Sequence, residues 1–321
     1  MCLNKWMQLH LREMELNNVK VEWHSVLEPE IQHNEKQHPN LPVREMYRWV
    51  IDDLNSNRMR SRVIMSADKA IGYAFLYPAT GFSDRNFASF GFLDPAAANR
   101  ERSILLLDWA IAECTKDGRK LLFNEPFNAG STFHECMDER GIRKLHRVEM
   151  ALYPKQFGEQ NKDIPSVYSI VPSMSVDPGA LVKALYLAFR DEDESILISD
   201  NPEERKRMQE NALSGKLFGP VIPEATFAVL HNGMIVAGIT VVINEGSPLI
   251  SDFFVIPDHQ NHGIGTYLLQ IAIKALSRYP EIKLWTDQRS IAHEFYIHRG
   301  FRETGRSETM YYLRPGKQQE Q

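Results

Sequence analysis

The segment Ser251 to Ala275 reads SDFFVIPDHQNHGIGTYLLQIAIKA. The apolar run to Ile256 predicts a strand, and Pro257 breaks it. A polar loop then ends in Gly263-Ile264-Gly265, and a helix opens near Thr266. The helix follows from spacing: Ile264, Leu268, Ile271, Ala272 and Ala275 share one face at a period of about 3.6. The two glycines stand where the chain turns into that helix. There the missing Cβ admits backbone angles that other residues avoid and lets a ligand approach the main chain. A helix start carries unpaired N–H groups and roughly half a positive charge, which suits an anion. Strand, glycine turn and helix together predict a phosphate cradle.

The elements around this segment follow from the same periodicities. Downstream, IKLWTD (282–287) reads as a strand, AHEFYIHRG (292–300) as a helix ending on Gly300, and ETMYYL (308–313) as the last strand. Upstream, ATFAVLHNGMIVAGITVVI (225–243) reads as a hairpin turning at Asn232-Gly233. DPGALVKALYLAFRD (177–191) and NPEERKRMQENAL (201–213) read as helices, the first opened by Asp177 and Pro178. The acidic run RDEDES (190–195) is read as a solvated helix end. The polar stretch FGEQNKDIPS (157–166) is read as a linker, which divides the chain into domains 1–157 and 166–321.

The first half repeats this order. RVIMSADKAIGYAFLYP (62–78) predicts a hairpin, ASFGFLDP (88–95) a strand, and Ile104–Cys114 a helix. KLLFNEP (120–126), FHECMDERG (133–141) and HRVEMALYP (146–154) then predict strand, helix and strand. Before them, WMQLHLREMEL (6–16) and VREMYRWVIDDL (43–54) read as amphipathic helices, with His33 and His38 placed in a connecting loop. The copies align beyond element order. Pro257 lies 162 positions after Pro95, and at that offset LLQIAI (268–273) falls on LLDWAI (106–111). A period this long means a duplicated domain rather than a solenoid. At Gly263 and Gly265 the offset lands on Glu101 and Ser103. Four residues before Gly300 stands Tyr296, whereas Met137 stands four before Gly141. The first copy has therefore lost the features that would serve a ligand, and it is expected to be non-catalytic.

Composition bounds the function. The chain has 321 residues, 43% of them hydrophobic and 25% charged, with a net charge of −5. That balance gives no pull towards nucleic acid or an anionic membrane surface. No apolar run reaches the ~18–20 residues of a membrane span, and the first residues lack a continuous hydrophobic segment, so a cytoplasmic location is expected. Cys2, Cys114 and Cys136 are too few and too scattered for a disulfide framework or a zinc site. His259, His262, His293 and His298 lack neighbours at metal-ligand spacing, and no metal is expected. A dinucleotide fingerprint would need a third glycine where Leu268 stands, and the chain contains no G-x-x-x-x-G-K-[ST].

Two motifs carry a resemblance. Gln260-Asn261-His262-Gly263-Ile264-Gly265 fits (Gln/Arg)-x-x-Gly-x-(Gly/Ala), and Ala292-His293-Glu294-Phe295-Tyr296-Ile297-His298-Arg299-Gly300-Phe301 fits Ala-x-x-Phe-Tyr-x-x-x-Gly-Phe. Through them the second half resembles the GNAT superfamily of acyl-CoA-dependent N-acyltransferases, and the repeat extends the resemblance to a tandem form. The resemblance implies an α/β (α+β) fold of two GNAT-like domains, each a mixed, mostly antiparallel twisted sheet flanked by helices. It implies a sheet splayed between the Leu249–Ile256 and Ile282–Thr286 strands, with the pantetheine arm of acetyl-CoA, the co-substrate, on Phe254, Val255 and Ile256. The diphosphate would lie on residues 261–266 (Asn261, His262, Gly263, Ile264, Gly265 and Thr266), with Gln260 shaping the loop.

The resemblance also places Tyr296 beside the sulfur as general acid. For the general base Asp252 is the first candidate and Glu245 the second. Arg289 stands where many members carry Asn, and it is expected to reach a phosphate or an acidic substrate group instead. The implied reaction moves acetyl to an amine of a small molecule or peptide. The alternative is a non-catalytic CoA-binding sensor or interaction module. The acceptor, the acyl length and the oligomeric state, a homodimer included, stay open.

Overall fold

The computed structural model describes residues 21–37, 39, 41–78, 82–123, 125–157 and 163–314. The helix expected over 6–16, and His38, lie outside the described residues. The described part of the chain divides into two compact units. One holds the residues up to Lys144 together with those from Met310 onward; the other is Leu145–Thr309.

The first unit opens with helices α1 (Trp23–Gln37) and α2 (Val43–Asn55). Their apolar faces, among them Trp23, Leu27, Ile31, Val50 and Leu54, pack with Tyr73 and Phe75. His33 sits on α1 rather than in a loop, with its ring 5.7 Å from that of Phe127. Strands β1 (Arg60–Ser66) and β2 (Lys69–Pro78) form the expected hairpin. Next come β3 (Arg85–Phe92), helix α3 (Arg100–Lys116), β4 (Lys120–Phe123) and helix α4 (Gly130–Glu139). β3 and β4 run parallel because α3 crosses between them.

In the second unit β6 (Tyr168–Pro172) precedes helices α5 (Pro178–Phe189) and α6 (Pro202–Leu213). The side chains of Asp177 and Asn201 cap their first turns. β6 was not anticipated: Pro165 beside it and Pro172 at its end obscure an edge strand of five residues. The hairpin of β7 (Phe227–His231) and β8 (Met234–Asn244) turns at Asn232 and Gly233 with positive φ at both. β9 (Ser247–Val255), helix α7 (Ile264–Ala275), β10 (Ile282–Asp287), helix α8 (Ile291–Ile297) and β11 (Arg302–Leu313) complete the unit. Ile264, Leu268, Leu269, Ala272 and Ile273 bury the inner face of α7 against Val236, Val241 and Ile250 of the sheet.

The last strands change places. β5 (Arg143–Leu152) closes the first half in chain order, yet its residues from Leu145 on belong to the second unit. It pairs antiparallel with β10 from Ile282↔Leu152 to Asp287↔Arg147 and puts Val148, Met150 and Leu152 into that core. The end of β11 returns to the first unit, where Tyr311, Tyr312 and Leu313 pair with Phe123, Leu122 and Leu121. In each unit the strands pair mostly antiparallel, while β3 with β4 and β9 with β10 run parallel.

Candidate active site

The site in the second unit begins where β9 and β10 part. Their parallel pairing consists of Lys283↔Leu249 and Leu284↔Ile250, although β9 runs on to Val255 and β10 to Asp287. On its other side β9 stays paired with β8 up to Ala237↔Val255, with a bulge where Thr240 meets Asp252 and Val241 meets Ile250. The N–H of Ile256 bonds to Val236 C=O at 2.9 Å. Alternation along an antiparallel pair then directs the peptide groups of Phe254 and Ile256 to β8, and those of Phe253 and Val255 to the open side.

The loop after β9 is held by its own side chains. Gln260 Nε2 donates to Val255 C=O at 3.1 Å, and the His262 ring nitrogen Nδ1 lies 2.8 Å from the Gln260 carbonyl. Asn261 and Gly263 both take positive φ, 63° and 82°. Gly263 is the N-cap of α7 and supplies no side-chain acceptor to the first-turn amides of Ile264, Gly265 and Thr266. A Cβ on Gly265 would stand 3.4 Å from the Phe253 ring, 3.5 Å from Val255 Cγ2 and 3.7 Å from the Phe295 ring. Any longer side chain there would enter the space between the helix start and the open edge of β9.

Helix α8 is capped by Ser290, whose Oγ accepts from His293 N–H at 3.1 Å. It buries Tyr296 among Phe253, Phe295 and Phe301, with ring centroids 6.0, 5.4 and 5.4 Å away. Burial, and after it the Glu194 carboxylate, push the Tyr296 phenol well above its usual range, so it stays a proton donor. Arg299 was not singled out from the sequence. Its guanidinium lies 3.5 Å from the Phe295 centroid and donates to Thr266 Oγ1 at 2.6 Å, which puts a cation on the first turn of α7. The available signal was its place directly before Gly300, where a helix end favours a cation.

Asp252 lies on the opposite face of the sheet from Phe253. Its Oδ2 is buried without a hydrogen-bond partner, although the residue as a whole is only partly covered. Burial raises its pKa from 3.8 to about 6, against the lowering effect of Thr240, Ser251 and Gln209 nearby. Glu245 is not brought near it. Glu245 sits with φ 49° in the β8–β9 turn, 67% exposed, and bonds to Arg306 at 3.2 Å.

The acidic run after α5 is not simply solvated. A 3-10 turn over Asp193–Leu197 buries Ser195 and Ile196, and it sets Glu194 against Arg147 at 3.3 Å. Burial raises the Glu194 pKa. Asp193 in turn engages Arg289 at 3.3 Å, and Asp287 approaches the same guanidinium at 3.6 Å. Apolar residues scattered among the acids fold this segment back, which a charge count does not register.

The corresponding parts of the first unit are arranged differently. Helix α3 is capped by Asn99, whose side chain accepts from Arg102 N–H at 3.0 Å. Ser103 Oγ, buried, bonds to Asn99 C=O. Beyond the β3–β4 pairs, the edge of β3 is taken by Phe127: its N–H bonds to Phe90 C=O at 2.9 Å, and its C=O accepts from Phe92 N–H at 3.0 Å. Met137 is fully packed in that core.

Residues 223–303 match the family model described as an acetyltransferase (GNAT) domain. No curated protein matches the chain. Among solved structures, the chain is similar to a GCN5-related N-acetyltransferase from Sphaerobacter thermophilus. The two share 16% identity at a TM-score of 0.50, over 89% of this chain and 90% of that one. A functionally unknown conserved protein from Staphylococcus epidermidis matches at 13% identity and TM-score 0.49, over 79% and 94%. A tandem GNAT protein from the clavulanic acid biosynthesis pathway matches at 14% and 0.39, over 80% and 83%. The second half thus carries a GNAT domain, and the fold that spans both halves is that of the GCN5-related N-acetyltransferases. Among the described residues no helix is long and apolar enough to cross a membrane.

Proposed function

We propose that this GNAT-superfamily chain is an acetyl-CoA-dependent N-acetyltransferase whose active site lies in the unit Leu145–Thr309, and that the first unit is a non-catalytic copy. The observation that carries the reading is the parting of β9 from β10 directly above an uncapped helix start. An acyl-CoA would extend its pantetheine arm along the outward-facing edge of Phe253 and Val255, where the Val255 carbonyl also accepts from Gln260. Its diphosphate would rest on the amides of residues 261–266, close to Arg299. The closed edge of β3 and the Asn99 cap support the reading that the first unit binds no cofactor of this kind.

Each side chain then has a defined task. A protonated alkyl amine, with pKa ~10.4, needs about 4.6 kcal/mol to lose its proton at pH 7. The rise of Asp252 from 3.8 to about 6 makes it a stronger base, worth about 3 kcal/mol towards that cost. Asp252 takes the ammonium proton from the α5–α6 face, and the freed nitrogen then attacks the thioester carbon and sheds its second proton to solvent. The new N–C bond forms, the C–S bond breaks, and Tyr296 gives its phenolic proton to the leaving sulfur from the α8 face; the Tyr296 phenolate is reprotonated from solvent. Arg289, paired with Asp193 and Asp287, positions the wall of the site.

The test is calorimetric titration of acetyl-CoA into the full chain and into Gly265→Glu, with thiol release over a panel of amines. Binding should be lost in the variant while its melting transition is kept. Unchanged affinity would place the cofactor elsewhere, and binding without turnover on any amine would favour a CoA-binding module.

A further inference from the structure

The loop between β9 and α7 has little burial to hold it. Pro257, Asp258, Gln260, Asn261 and His262 are exposed, and Asn261 sits at φ 63°, an angle that residues other than glycine seldom adopt. Among the described residues, the hydrogen bonds of residues 257–263 end within 255–267, with one exception. His259 closes a 3-10 turn over Pro257–His259, and its Nδ1 lies 3.0 Å from the hydroxyl of Tyr168, 91 residues earlier in the chain. Tyr168 opens the edge strand β6, directly opposite His231 of β7. The three rings meet in turn: Tyr168 and His231 at 5.2 Å, His231 and His259 at 4.9 Å, His259 and Tyr168 at 5.7 Å. The contact between hydroxyl and imidazole is part-buried, so water competes less for it than for the bonds on the loop's outer side. The residue that follows His259 is Gln260, whose side chain turns back to the Val255 carbonyl and gives the loop its shape.

We infer that Tyr168 is a positioning residue for the cofactor: acting through His259, it holds the β9–α7 loop in the shape that receives the diphosphate. This rests on the acyl-CoA reading of the same site. A loop released from β6 visits other shapes, and its affinity for the cofactor falls by the fraction of time it spends in the competent one. Tyr168 does not reach the reacting atoms. It stands on β6, and the pairings of β6 with β7, β7 with β8 and β8 with β9 set two strands between it and the edge along which the thioester would lie. Its contribution is therefore to binding of the acyl donor and not to the chemical step.

The experiment titrates acetyl-CoA calorimetrically into the full chain as wild type, Tyr168→Phe, His259→Ala and the double variant, with steady-state thiol release on the best amine of the panel. Tyr168→Phe keeps the ring and removes only the hydroxyl. It should raise the Kd for acetyl-CoA about three- to tenfold, the worth of one hydrogen bond. The double variant should bind no more weakly than His259→Ala, because the two residues act through a single bond. Turnover at saturating acetyl-CoA and the KM for the amine should stay as in the wild type. Unchanged affinity in Tyr168→Phe would overturn the inference while leaving the acyl-CoA reading intact; a lower melting temperature with that unchanged affinity would mark the bond as purely structural. Losses that add in the double variant, or a fall in saturated turnover, would also overturn it. The calorimetric comparison stands even without turnover. Failure of the wild type to bind acetyl-CoA would overturn the acyl-CoA reading, and this inference with it.

Discussion

In the proposed reaction Asp252 pits function against stability at a single carboxyl. Its folded pKa of about 6 lies above its ordinary value of 3.8, so the native state holds the proton more tightly than the unfolded chain does. The favourable contribution is fully present below about pH 4 and is lost as the pH rises through about 6. At pH 7 the ionised, buried carboxylate costs up to about 3 kcal/mol. Asp252→Asn should therefore raise the melting temperature at pH 7, and the gain should fade as the pH is lowered towards 4. The same variant should lower kcat by about 10²–10⁴-fold and abolish the rise of kcat/KM with an apparent pKa near 6. A variant that melts lower than the wild type at pH 7 would contradict the buried-charge account. Tyr296→Phe should be the milder change, because the CoA thiolate (pKa ~8.5) needs less help to leave than an alkyl ammonium needs to lose its proton. Steady-state rates for the two variants, measured side by side, decide that order.

At the scale of elements, α3 and α7 are the same helix put to different uses. α3 ends its own need for acceptors with Asn99, and α7 begins at Gly263 with none. Asn99→Ala should cost about 1 kcal/mol of stability, seen in a denaturant titration, with no change in acetyl-CoA affinity. Conversely, acetyl-CoA or CoA alone should raise the melting temperature of the full chain in proportion to the logarithm of its concentration, because it binds only the folded helix start. Two aligned helices thus separate the glycines that a fold needs from those a ligand needs. Under the proposed function Gly265 is of the second kind, since the aligned helix forms with Ser103 in its place, while Gly263, at φ 82°, also serves the turn itself.

At the scale of the whole molecule, β5 decides what can be cut from the chain. The linker expected at 157–166 divides the sequence neatly, yet residues 145–152 furnish six partners to β10 and three side chains to the second core. A fragment 166–321 would leave that edge of β10 unpaired and Ile282 and Leu284 without Leu152 and Met150 beside them. It should fail to show a cooperative melting transition or to bind acetyl-CoA. Cooperative melting of that fragment would show that β5 is dispensable to the second unit.

The sequence by itself determined the elements and much of the loop proposed to cradle the cofactor. The helical period in 264–275, the Asn232-Gly233 turn, the capped starts of α5 and α6 and the glycines of 263–265 are local in cause, and local physics decides them. It also determined the duplication, because Pro95 and Pro257 keep their place in the repeat. Only the tertiary structure decided which strand pairs with which. β5 and β11 carry similar alternating patterns, and nothing in either says that each serves the other half's sheet. Likewise, Glu194 stands in an acidic run that reads as solvated, and Gln209 and Arg299 are polar residues of helices that carry no local sign of their packing. Their burial comes from apolar neighbours and facing elements far away in sequence, and a linear pattern does not record those contacts.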